Sequence, residues 1–171
     1  MIPNPPNFAR RNVPDDQRNQ VALAIRGRLT PATPDLDRQL HRIVNHTYPD
    51  SLWQVDFEAH GIFELDSEPD ITVYFYAAGY NELLADLPLE SPLVLTLPPI
   101  LTERMIRSWA MDPRSDESDW VFDVAEIEVI SWFAQRWQTI AAGRFSYRAT
   151  AAVHDAQYRF DLTAQEWSDT L

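Results

Sequence analysis

Residues 52–65 read LWQVDFEAHGIFEL, and their alternation decides the fold. Trp53, Val55, Phe57, Ala59, Gly61, Phe63 and Leu65 fall on one side of an extended chain, and Gln54, Asp56, Glu58, His60 and Glu64 on the other. A period of two with one apolar side predicts a long strand with one wet face. Asp66 to Asp70 reads as a turn, after which ITVYFYAA at Ile71 to Ala78 is rich in β-formers on both faces. The two segments predict an antiparallel hairpin. Leu93 to Leu97 is a third, short strand.

Outward from this hairpin the period lengthens. Val21, Leu23, Ala24, Ile25 and Leu29 predict a short helix from about Arg18 to Leu29, ending before Pro31. Asp35 is placed to cap a second helix in which Leu36, Leu40, Ile43 and Val44 share a face, with Asp37 and His41 as an i,i+4 pair. Pro99 suits the first turn of a third, carrying Ile100, Leu101, Met105, Ile106 and Trp109. Ile127, Ile130, Ala134, Trp137 and Ala141 mark the longest helix, with Gly143 as its left-handed terminator. Trp120 to Val124 fits strand and helix equally. FSYRATAAV at Phe145 to Val153 and YRFDL at Tyr158 to Leu162 alternate as a second hairpin, with Trp167 in the tail folding back on it. The expected class is α+β: an antiparallel sheet of two hairpins plus a short strand, with helices packed mainly on one face. Residues 1–20, with Pro3, Pro5, Pro6 and Pro14, read as a flexible arm, and 21–171 as one domain.

Composition removes more chemistry than it adds. The chain has no cysteine, and all 14 of its formal cations are arginines. Schiff-base lysines, P-loop lysines, thiolate nucleophiles and cysteine-bound zinc are therefore excluded. Four glycines, scattered singly, build no phosphate cradle. A net charge of -12 opposes nucleic-acid binding and favours solubility or a basic partner. Through Thr30 five arginines face two acids, so the remainder of the chain is more acidic than the total suggests. The most apolar stretch, Leu87 to Leu101, is broken by four prolines and predicts no membrane span. Residues 1–20 show no apolar signal core, and with cysteine absent the expected location is cytoplasmic.

Asp56, Glu58, His60 and Glu64 are the sharpest cluster, a set of carboxylates and imidazole on one strand face. Same-face neighbours in a strand lie roughly 7 Å apart, too wide for one small ion, so the set reads as a solvated or partner-facing acidic stripe. Asp116, Glu117 and Asp119 form a second acidic region before the long helix, without the EF-hand alternation. His41 and His46 are spaced as poor co-ligands, and His154 with Asp155 reads as turn chemistry. No G-x-S-x-G elbow is present. The sequence thus assigns no catalytic residue, cofactor or metal ligand, and the chain reads as non-enzymatic. Of six tryptophans, most read as core. Trp132, off the Trp137 stripe and beside Ser131 and Gln135, reads instead as an exposed anchor at an interface or ligand groove.

WFAQRW at Trp132 to Trp137, AAVHD at Ala151 to Asp155, YRFDL at Tyr158 to Leu162 and the later Trp167 form a helix, hairpin and tail pattern. Over about a quarter of the chain this resembles small acidic bacterial proteins of uncharacterised families, including immunity proteins from polymorphic-toxin systems. The resemblance implies a stoichiometric binder that occupies a toxin, and an acidic body would steer it to a basic one. Two other classes stay open: a scaffold or homo-oligomer without chemistry, and a small-molecule binder or enzyme using a sheet-helix cleft.

Overall fold

The computed structural model describes residues 3, 13–48, 50, 53–60, 72–79, 93–96, 100–110, 118–154, 156 and 158–169. Helix α1 spans Asp15–Leu29 and opens after Pro14 with Asp15 and Asp16 in its first turn, where the helix dipole favours acids. It starts earlier than the sequence suggests, so residues 15–20, assigned above to the arm, are helical. A 3-10 turn at Thr30–Ala32 links it to α2, Thr33–Val44, which starts at Thr33-Pro34 rather than at an Asp35 cap. Asp35 lies inside the first turn, bonded to Arg38 and Gln39.

Strand β1 is Gln54–His60 and β2 is Thr72–Gly79; residues 61–71, including the predicted turn, fall outside the described set. The short strand β3 is Leu93–Thr96. Helix α3, Glu103–Trp109, begins later than Pro99 because the Thr102 hydroxyl caps it, accepting from the Met105 N–H at 3.2 Å. Ile100 and Leu101 precede the helix and are buried. Helix α4, Asp119–Ala141, takes in Trp120 to Val124 and so decides that segment as helix. Gly143 follows it at φ +70°, as a left-handed terminator requires, and Phe145 N–H returns to the Ala141 carbonyl at 3.1 Å. A Cβ there would meet nothing within 4 Å, so Gly143→Ala carries only the conformational penalty. It is expected to cost about 1 kcal/mol, lowering Tm by about 2–4 °C in thermal denaturation. Strands β4, Arg148–Val153, β5, Tyr158–Asp161, and β6, Glu166–Asp169, complete the chain.

Among the described residues, six strands lie in the order β3-β2-β1-β4-β5-β6. The class is α+β, but the sheet is mixed and not the antiparallel pair of hairpins that the sequence suggests. Neighbours pair antiparallel except β1 and β4, which run parallel with Val55 opposite Ala149 and Phe57 opposite Ala151. A parallel pair needs a long crossover. The 23 residues of α4, about 34 Å of helix, bring the chain back to enter β4 in the direction of β1. The tail holding Trp167 is itself a strand: β6 pairs with β5, placing the Trp167 ring 5.1 Å from Phe160.

Val55, Phe57 and Ala59 from β1 and Ala149, Ala151 and Val153 from β4 form one buried face. Phe57 meets Phe133 and Trp137 of α4 at 5.0 and 5.2 Å between ring centroids. Buried residues occur all round α4, because α1 and α2 pack against it as well. The helix is therefore a middle layer between the sheet and the N-terminal helices. Only Trp120 and Trp137 of the six tryptophans are buried, fewer than expected; Trp109, Trp132 and Trp167 pack partly buried against the core, and Trp53, just before β1, is 54% exposed.

Candidate functional site

The sheet face opposite α4 carries Asp56 and Glu58, and it is not wet. Gln54 is 5%, Asp56 6% and Thr150 2% exposed. The reason is tertiary: β1 is central, and β4 and β5 bring partners that no local pattern shows. The Gln54 amide donates to Asp56 Oδ1 at 2.7 Å and the Thr150 hydroxyl donates to the same oxygen. Arg159 Nη1 stands 3.8 Å from Asp56 Oδ1, and its Nη2 stands 3.6 Å from Glu58 Oε2. Glu58 also meets His154 Nδ1 at 2.5 Å. Arg148 donates through Nε to Asp161 Oδ2 at 2.9 Å and reaches Gln54 Oε1 at 3.5 Å. Burial opposes ionisation of Asp161, but the Ala164 N–H, Arg148 and the Thr163 N–H outweigh it and hold its carboxyl below the usual range.

This ladder ties two of the predicted stripe residues into the fold. The side chain of His60, and all of Glu64, Asp116 and Glu117, lie outside the described residues. Asp119 is the first residue of α4. Asp155 is outside the described set, and its neighbour His154 serves Glu58. The Asp37–His41 pair is not formed; Asp37 takes both Nε and Nη2 of Arg136 at 2.7 Å, a bidentate geometry stronger than a solvated helix pair. Among the described residues, no group of three His, Asp or Glu is placed to hold a metal ion, and no helix is long and apolar enough to cross a membrane.

Trp132 opens on a second feature. A cleft of about 570 Å³ lies between α1, α2, α4 and the turn from β5 to β6, lined by Arg26, Thr30, Thr33, Glu128, Ser131, Trp132, Gln135, Arg136, Gln138 and Gln165 among others. The indole N–H donates to Thr33 Oγ1 at 3.0 Å, which fixes the ring. At one end Arg26 grips Glu128 through Nε and Nη2 at 2.5 and 2.6 Å. That bond raises the Arg26 pKa against the opposing effect of burial. The Arg136–Asp37 pair stands at the other end. Gln138 and Gln165 both donate to the Leu162 carbonyl, at 3.0 and 2.8 Å. Gln165 does so from φ +60°, in a turn whose N–H groups Asp161 caps. The Ser131 hydroxyl is buried and has no hydrogen-bond partner.

The sequence reading reached Trp132, Ser131 and Gln135 but missed Arg26, Gln138 and Gln165. Those sit on three separate segments, and only the packing of α1 on α4 and the β5–β6 turn brings them together. Arg159 and Asp161 were legible as one face of YRFDL, and its hairpin with β4 was expected, but the placement of β1 beside β4, which brings Asp56 and Glu58 to Arg159, was not. No protein-family model, curated protein or solved structure matches the chain.

Proposed function

We propose that this protein is a non-catalytic binding module for a basic protein, in the manner of an immunity protein that occupies a toxin. The observation that carries the reading is the segregation of charge. Between Arg42 and Arg104 the chain holds no arginine or lysine, while carboxylates recur from Asp50 to Glu103. That interval supplies β1, β2 and β3, half of the sheet in the order of its strands. Elsewhere 15 acids stand against the 14 arginines, and Arg26, Arg136 and Arg148 each hold a carboxylate in bonded geometry. Arg159 serves Asp56 and Glu58. The surplus negative charge thus belongs to one interval of the chain, and a field of one sign steers an oppositely charged partner and sets its orientation.

Because Asp56 is buried and bonded, its substitution tests the fold and not an interface. The informative variant is E64Q/D66N/E68Q/D70N, in the arginine-free interval. Affinity capture of the tagged protein from its source cells at low salt, with mass spectrometry, is expected to retain a near-stoichiometric basic protein that salt releases. With that partner purified, the variant is expected to slow association by about tenfold and flatten its salt dependence. A partner that is acidic, or an affinity and salt slope unchanged in the variant, would remove the proposal.

A further inference from the structure

The cleft beside Trp132 is separate from the acid-rich half of the sheet and is built to different specifications. Its volume of about 570 Å³ lies within the range of small-molecule sites, above about 300 Å³. One wall is formed by the Trp132 indole, a flat, largely apolar ring held through its hydrogen bond to Thr33. The charges around it cancel in pairs, Arg26 with Glu128 and Arg136 with Asp37. Each guanidinium gives its carboxylate two N–H groups and retains others, so the cleft offers donors without net charge. Gln138 and Gln165 commit amide N–H groups to Leu162 and keep their carbonyl oxygens as acceptors. Ser131 lines the same space; its hydroxyl has no hydrogen-bond partner and lies beneath the cleft surface, so a ligand reaches it only when the side chain rotates.

We infer that this cleft binds a neutral polyhydroxylated ring, a carbohydrate of mono- or disaccharide size, stacked on Trp132 with its hydroxyls directed at the glutamines, Ser131 and the spare guanidinium donors. The alternatives fit less well on the same inventory. An anion would face Glu128, a cation would face two guanidinium groups, and an apolar ligand would leave the amides unpaired. A sugar ring presents one apolar face and a rim of groups that both donate and accept.

The test is titration of the ¹⁵N-labelled full chain with glucose, galactose, N-acetylglucosamine, maltose and cellobiose, with galacturonate and uridine as charged and planar comparators. At least one neutral sugar is expected to shift the Trp132 indole N–H and the Gln138 and Gln165 amides saturably, with galacturonate weaker by about tenfold. Trp132→Ala is expected to abolish the shifts. Gln135→Ala, at an exposed position that leaves the fold intact, is expected to weaken binding several-fold. The inference is overturned if no sugar moves these resonances at about 100 mM, which reaches millimolar affinities. It is equally overturned if uridine binds tighter than every sugar, or if the sugar shifts survive both substitutions. Loss of the basic partner in the capture experiment leaves this result unaffected, since the two surfaces share no residue.

Discussion

Asp56→Ala is expected to destabilise the protein by about 3–5 kcal/mol, because it removes one member of a buried, hydrogen-bonded charge set and leaves the others without an acceptor. Thr150 and the Gln54 amide both donate to Asp56 Oδ1, and Arg159 Nη1, buried without a hydrogen-bond partner, has that carboxylate 3.8 Å away as its counter-charge. Urea denaturation measures the loss directly, and for a chain of this length Tm is expected to fall by about 10 °C or more. Asp56→Asn keeps an acceptor for Thr150 and forfeits only the charge, so its cost is smaller. Asp56→Ala combined with Arg159→Met is expected to recover part of the loss, since removing both partners of a buried pair costs less than removing one. A loss below about 1 kcal/mol for Asp56→Ala would mean that water, not Thr150, Gln54 and Arg159, solvates this carboxylate.

Glu126→Gln is expected to stabilise the protein above neutral pH and to leave it nearly unchanged in acid. Burial, reinforced by the neighbouring charge of Asp123, pushes the Glu126 carboxyl up from 4.5 to about 7. The folded state therefore holds a proton that the unfolded chain has already released. Stability from this group is complete below the unfolded value and declines as pH rises through about 7, above which the ionised side chain carries the whole desolvation cost. The amide has no such cost. Allowing for its partial exposure, the gain at pH 8 is about 1–3 kcal/mol. Denaturation midpoints of both proteins across about pH 4.5 to 8 check it: the difference between the two curves should open between the unfolded value and about 7 and level off above it. Parallel curves would show that Glu126 reaches water.

Asp56 and Glu126 show where local reading of a sequence stops. Alternation placed Asp56 opposite Phe57 correctly, and β1 does bury Val55, Phe57 and Ala59 on one side. Alternation says which residues share a face but not what covers that face. The polar side of β1 was expected to be wet because its sequence neighbours, Gln54 aside, bring it no partner. Its partners, Thr150, His154 and Arg159, arrive more than ninety positions later, on strands set beside β1 by α4. The same long-range step made the sheet mixed: a hairpin pairs neighbours antiparallel and can be inferred locally, whereas the β1–β4 pairing depends on the path of a helix across the sheet. The helices followed the opposite course. α4 was legible from its period and from Gly143, and α2 from four apolar positions on one face, since these signals are local. Their starts moved only where a hydroxyl or a proline competed, at Thr102, Pro34 and Pro14.

Trp132 divides the two sources most clearly. Its position off the Trp137 stripe, beside Ser131 and Gln135, already separated it from the core. The arginine pairs at either end of its cleft and the glutamine of the β5–β6 turn came from packing alone. What the sequence determined by itself was the set of covalent and short-range properties: no thiol, no lysine, a strong negative charge confined largely to one interval, helix periods and an alternating strand. These depend on residue type and on neighbours within a few positions. What only the tertiary structure decided was the state of the charges. A carboxylate is a docking group in water and a structural strut beside a buried arginine, and which of the two it becomes depends on strands that meet it from the far end of the chain.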